Sequence, residues 1–301
     1  MGCPGQYADR ASGQRTTPGC DIAVTLLCAG EQLHVQNQRH CWGSSMISLP
    51  EVLRFIDPAR PGLEIGPLDK PLLTRPDFNV EYVDHLDRDG LREKYSENPF
   101  VDVEEIIAPD YVTQNKPLSE IVGTDKYSYI VASHVIEHVP SLLGFFAECA
   151  EVLTDGGIIS LVAPDKRYSF DITRRLSTFA DIVSAFIECR TSPSIRDICD
   201  HYFEVRRVSP DELWRGVDVN ALKKYHTHHE AMNIAASALR DARFIDCHVW
   251  VFTCDTFLAI LRKSAAAGLL PFEVIHAAAP IPGEMDFYCS LRKHGRMASV
   301  Q

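Results

Sequence analysis

The chain has 301 residues, 46% hydrophobic and 24% charged, a composition that supports a packed core and excludes a disordered or fibrous protein. Thirty Lys and Arg stand against 41 Asp and Glu, a formal net charge of −11 that repels polyanions and argues against a nucleic-acid partner. The ten cysteines never occur as C-x-x-C and several lie inside apolar runs, as expected of reduced, mostly buried thiols in a cytoplasmic protein.

Residues 1–43 mix Gly, Pro, Gln, Thr and Cys without sustained periodicity and read as a poorly ordered leader. Within them the apolar run Ile22–Cys28 carries Leu27 where a lipoprotein-type site needs a small residue, which argues against an export signal. Elsewhere the apolar stretches fall far short of the ~20 residues that cross a bilayer, so no membrane association is expected. From Pro61 to Val162 short β-prone runs at 62–65, 79–83, 127–132 and 157–162 alternate with helical segments, the pattern of a parallel sheet with crossover helices. Leu142, Leu143, Phe145, Phe146, Cys149, Val152 and Leu153 recur at helical spacing, and this helix is expected to end at Asp155-Gly156-Gly157. Residues 167–241 are helical in tendency and rich in Arg, Asp and His, and read as an inserted lid. Residues 244–251 look strand-like and 256–266 helical. Two final runs at 272–276 and 285–291, separated by Pro280–Glu284, predict an antiparallel hairpin. The expected organisation is therefore a core of 44–166 and 242–296 interrupted by the helical insertion 167–241.

The strongest local signal is Leu63-Glu64-Ile65-Gly66-Pro67, where a glycine at a strand end lets a ligand approach the backbone. Asp84 closes the next run, 20 residues after Glu64, where a carboxylate can accept both ribose hydroxyls. Its alternative role is to cap the helix beginning near Asp87. No G-x-G-x-x-G follows the first strand, which disfavours a dinucleotide and favours a nucleoside without phosphate.

On these residues, together with Tyr127–His138, Val152–Gly157 and the C-terminal hairpin, the chain resembles the class I S-adenosylmethionine-dependent methyltransferases. The resemblance covers roughly residues 60–165 and 242–293. It implies an α/β fold, a Rossmann-like seven-stranded methyltransferase sheet with an antiparallel C-terminal hairpin, here with a helical insertion. One departure is that Leu68 and Lys70 replace the second and third glycines of the family's first motif. Asp84-His85-Leu86, Ala132–Pro140, Pro164–Asp171 and His248–Thr253 further resemble a bacterial subgroup associated with glycosyltransferases and surface-glycan synthesis.

The resemblance implies S-adenosyl-L-methionine as cofactor. Glu64, Gly66 and Pro67 would border its methionine part, Asp84 its ribose, and Asp102 and Val103, near the end of a third strand, its adenine. Ser133 and His134 would lie by the sulfonium. The expected acceptor is a hydroxyl of a sugar, other glycan or small molecule. His138, His134 and Asp165 are the available bases, and Lys166 and Arg167 are candidate acceptor contacts at the pocket mouth. Two other readings remain: a cofactor-binding regulatory protein without turnover, and a different nucleoside-using Rossmann enzyme.

His134, Glu137 and His138 stand at i, i+3 and i+4, a spacing that suits structural histidines, a base or a metal site. Pro140 cuts the segment short and no fourth ligand is evident, so no metal is expected to be required. His226, His228 and His229 read as a polar helix start.

Overall fold

The computed structural model describes residues 47–114 and 116–294. The expectations for residues 1–43, the Ile22–Cys28 run among them, lie outside the described residues. Seven strands form one sheet: β1 (Gly62–Ile65), β2 (Val80–Asp84), β3 (Tyr111–Val112), β4 (Tyr127–Ser133), β5 (Leu153–Pro164), β6 (Phe272–Ala278) and β7 (Asp286–Lys293). Their order is β3-β2-β1-β4-β5-β7-β6. The first five pair in parallel, and β7 runs antiparallel to both β5 and β6. This is the Rossmann-like seven-stranded sheet with an antiparallel C-terminal hairpin that the sequence predicts. β1 is buried at every residue and β4 at all but two, as strands covered on both faces must be.

Outside the sheet lie α1 (Leu49–Leu53), α2 (Arg88–Tyr95), α3 (Leu118–Val122), α4 (Leu142–Val152), α5 (Phe179–Ile187), α6 (Ile195–Glu204), α7 (Pro210–Trp214), α8 (His228–Arg240) and α9 (Cys254–Ala266). The helices after β5 start for a local reason. Thr178/Asp181, Ser194/Asp197, Ser209/Glu212 and Thr227/Glu230 each form a capping box that satisfies otherwise orphaned backbone donors of α5 to α8. These helices share the sheet's core: Ile182, Phe186, Ile198, Tyr202 and Ala231 belong to the same buried cluster as Leu63, Ile130 and Leu161. Arg174 is their deepest tie, only 1% exposed, with its guanidinium on Asp171 and Asp200 and donating to the His248 carbonyl, each at 2.8 Å.

Three expectations are corrected. The third strand lies at Tyr111–Val112, not near Asp102, because residues 98–107 are drawn into turns by Val101 N–Asn98 O and Glu105 N–Asp102 O bonds. Residues 244–251 form no strand. They run buried through the core, but their amides donate elsewhere: Val249 and Trp250 to the Glu137 carbonyl, Val251 to Ser177 Oγ. Finally, α4 ends at Val152 rather than at 155–157, since Leu153 is fully buried and pairs with Tyr127 as the first residue of β5. Cys149, Cys199, Cys247, Cys254 and Cys289 are free thiols, whereas Cys189 is disulfide-bonded and departs from the all-reduced expectation. Among the described residues no helix is long and apolar enough to cross a membrane.

The β1–β4 contact is tight at Gly62, which pairs with Tyr129; a Cβ there would stand 1.9 Å from the Tyr129 ring. Gly62→Ala should therefore cost about 1–3 kcal/mol by overpacking. A urea midpoint equal to wild type would show that the ring is not held against the strand.

Candidate active site

The carboxyl ends of β1, β2 and β4 meet at one edge, where open α/β sheets bind ligands. After β1 the chain turns at Gly66, whose φ of +67° falls in the left-handed region. Its amide donates to the Val83 carbonyl at 2.9 Å, and a Cβ would come within 3.4 Å of Val135 beyond β4. Leu68 also takes a left-handed φ of +51°. That conformation costs a non-glycine residue about 1–2 kcal/mol. Burial of Leu68 against Leu91, Tyr95, Val101 and Ile106 offsets it.

Glu64 does not face this edge as an open carboxylate. Its two oxygens accept from Leu72 N at 2.7 Å and Leu73 N at 3.0 Å, pinning the far end of the loop that begins at Gly66-Pro67. Burial raises its pKa to about 7, with the two amides pulling the other way. The loop shape missing its glycines is thus held by Leu68 and Glu64.

Asp84 ends β2 and is buried. One oxygen accepts from the His85 amide at 2.7 Å and contacts the His85 ring; among the described residues Oδ2 has no hydrogen-bond partner. The cap of α2 is Asp87, which accepts from Gly90 N at 2.8 Å, so the capping alternative for Asp84 falls away. Asp102 is exposed in a turn and meets the β1 loop through its amide, which donates to Asp69 Oδ2 at 3.1 Å. Val103 packs against the small apolar cluster that contains Leu68.

Ser133 ends β4, half-buried, and His134 follows in a left-handed conformation, φ +54°. The His134 ring lies 3.2 Å from both Glu137 and Asp286 carboxylates. Burial alone would lower its pKa, but Asp286 and Glu137 outweigh burial and hold it at about 9. Burial likewise pushes Glu137 up, and His134 above all reverses this, to about 2. His134 is therefore an imidazolium at neutral pH. His138 differs: a third of its side chain is exposed, and its Nδ1 lies 2.8 Å from Asp246 Oδ1.

Asp165 and Lys166 are tied into the protein, and Arg167 is anchored on Asp165 with its side chain partly exposed. Asp165 is fully buried, receives Arg167 N, Nε and Nη2 at 2.8–3.0 Å, and accepts from Cys254 N at 3.0 Å. Lys166 donates to the Arg174 carbonyl. Arg167 remains half-exposed and lies over Tyr168, which stacks on Trp214 at 3.9 Å and 2°. Sequence reasoning missed Asp171, Asp246, His248 and Asp286 as neighbours of the His138 turn; Asp171 and His248 stood within motifs, without a partner to give them a role. The sequence-predicted polar helix start is found, with His228 and His229 opening α8 beside Lys224 and Asn233.

No protein-family model matches the chain, and no curated protein matches it. Solved structures do. An S-adenosylmethionine-dependent methyltransferase from Mesorhizobium loti is 12% identical with a TM-score of 0.40, covering 81% of this chain and 96% of that one. One from Methanosarcina mazei is 12% identical with a TM-score of 0.40, covering 82% and 98%. A structure described as a Zn-dependent alcohol dehydrogenase from Rhodobacter sphaeroides is 11% identical with a TM-score of 0.42, covering 82% and 88%. Likenesses this remote carry no functional argument.

The His134 pairing has a stability signature. Its folded pKa of about 9 exceeds the ordinary 6.5, so its contribution is complete below pH 6.5 and lost as pH rises through 9. The loss is on the order of 3 kcal/mol. Denaturant titrations at pH 6.5 and pH 9 should show this fall in wild type and a flatter profile in His134→Gln; parallel profiles would mean the ring is neutral.

Proposed function

We propose that the chain is an S-adenosylmethionine-dependent methyltransferase that acts on a hydroxyl of a sugar or another polar small molecule. The observation that carries the cofactor half is the pairing of Asp84 with Gly66. One carboxylate oxygen of Asp84 is fixed by His85 while Oδ2 has no partner among the described residues, at a strand end beside a backbone turn without a Cβ. A ribose fits that combination, since its hydroxyls need an acceptor and the chain beyond needs close backbone approach. Gly66 and Pro67 would border the methionine part and Ser133 with His134 the sulfonium. Asp102 and Val103, joined to the β1 loop at Asp69 and Leu68, are the candidates for the adenine. Glu64 acts through the loop it pins.

The bound cofactor would supply a methyl group activated by the neighbouring sulfonium; the protein's part is to align the acceptor and take its proton. His138 is the base best placed for this. Asp246 on Nδ1 fixes the ring's tautomer and leaves Nε2 to accept, the relation found in carboxylate–histidine pairs of acyl-transfer enzymes. His134, already protonated, and Asp165, saturated by donors, are poorer bases. The positive His134 would repel a sulfonium brought directly against it, so Glu137 and Asp286 also serve to neutralise it there. Stacked Tyr168 and Trp214, with Arg167 above, offer the flat, polar-edged wall that sugar rings favour.

Titration calorimetry with S-adenosylhomocysteine tests the cofactor half. Micromolar binding is expected, weakened at least tenfold in Asp84→Ala at unchanged melting temperature. Full affinity in that variant would remove Asp84 from the site, and no binding to wild type would overturn the methyltransferase reading.

A further inference from the structure

We propose that Glu137, His138 and His248 form a site for one divalent transition-metal ion of the zinc class. Each offers a ligand atom, and these atoms lie within 4.8 Å of one another. Two come from the turn after β4. The third comes from the buried segment before α9, so neither stretch of sequence holds the set alone.

Two observations go beyond proximity. First, each imidazole is held on one nitrogen by a carboxylate: His138 Nδ1 by Asp246 at 2.8 Å, His248 Nδ1 by Asp171 at 2.6 Å. That arrangement fixes ring orientation and leaves Nε2 as the ligand atom, as in metal-binding histidines generally. Second, Glu137 is 1% exposed, and neither carboxylate oxygen makes a hydrogen bond of acceptable geometry, although His134 Nδ1 lies 3.2 Å from Oε1. His134 balances its charge from the Oε1 side, while Oε2 has no hydrogen-bond partner among the described residues and is left for a cation to take.

The frame is rigid. The Glu137 carbonyl accepts from Val249 N at 2.7 Å and Trp250 N at 3.1 Å, and Trp250 Nε1 donates to the Val139 carbonyl at 2.7 Å. These bonds staple the two ligand-bearing segments together. A tetrahedral ion with bonds of ~2.1 Å spaces its ligands roughly 3.4 Å apart, which modest side-chain rotation reaches. Three protein ligands leave one position open, the pattern of catalytic rather than structural zinc. An acceptor hydroxyl bound there would release its proton more readily, and His138 would then serve as ligand in place of free base. This reverses the sequence-based expectation that no metal is needed, because His248 supplies a ligand the local motif lacks. The site itself does not depend on the methyltransferase reading.

Chelator-stripped, untagged full-length protein titrated with Co²⁺ tests it. One ion per chain, bound at micromolar or tighter Kd with visible ligand-field absorption and displaced by Zn²⁺, is expected. His248→Gln and the partly exposed, hence structurally milder, His138→Gln should each weaken binding at least 30-fold, with circular dichroism confirming the fold. Absence of stoichiometric binding to wild type would overturn the proposal, as would wild-type affinity in His138→Gln. S-adenosylhomocysteine affinity measured on the same samples separates failure of this site from failure of the cofactor reading.

Discussion

The backbone carbonyl and the carboxylate of Glu137 tie together parts of the chain that lie far apart in sequence. The carbonyl receives both Val249 N and Trp250 N, and so docks the buried segment before α9 onto the turn after β4. The side chain faces His134, 3.2 Å away, and through it Asp286 at the start of β7. The reversed strand, the parallel edge and the segment following α8 are thereby referred to one residue. Removing this carboxylate would take from His134 one of the carboxylates that face it in a fully buried site, a costly change.

The same constraint explains why the helices after β5 belong to the fold rather than standing off it. Arg174 binds the His248 carbonyl with one nitrogen and Asp171 and Asp200 with others, while Asp171 holds the His248 ring. Those helices therefore set the position of the His248 imidazole at the candidate site. A change in their packing would reach the site through Asp171 and Arg174, not only through surface contact with an acceptor.

The parallel strands were legible because a strand buried on both faces is rich in apolar residues, as the Tyr129–Ala132 run of β4 is. The place of Asp84 at the end of β2 was legible because strand length and crossover length together fix the spacing from the glycine turn to the next strand end. Glu64 was not, because the motif places an acid near the glycine without saying which face it takes. Leu63 and Ile65 enter one core layer, and Glu64 points to the other, where Leu73 lies. Residues 244–251 carried the burial of a strand, yet burial does not name a hydrogen-bond partner, and theirs is the Glu137 carbonyl. Asp171 and His248 are 77 residues apart and pair only once the intervening helices have packed; no local period encodes that contact.

The account rests on methyl transfer at the edge defined by Gly66, Asp84 and His138. Its most direct test is an assay with methyl-labelled S-adenosylmethionine over a panel of sugars, nucleotide sugars and small hydroxyl and amine acceptors, run with and without added divalent ion. The account predicts label on at least one hydroxyl acceptor, with turnover reduced by orders of magnitude in Asp84→Ala. Label appearing on amines alone would contradict the hydroxyl assignment, and no label on any acceptor despite tight cofactor binding would contradict the enzyme.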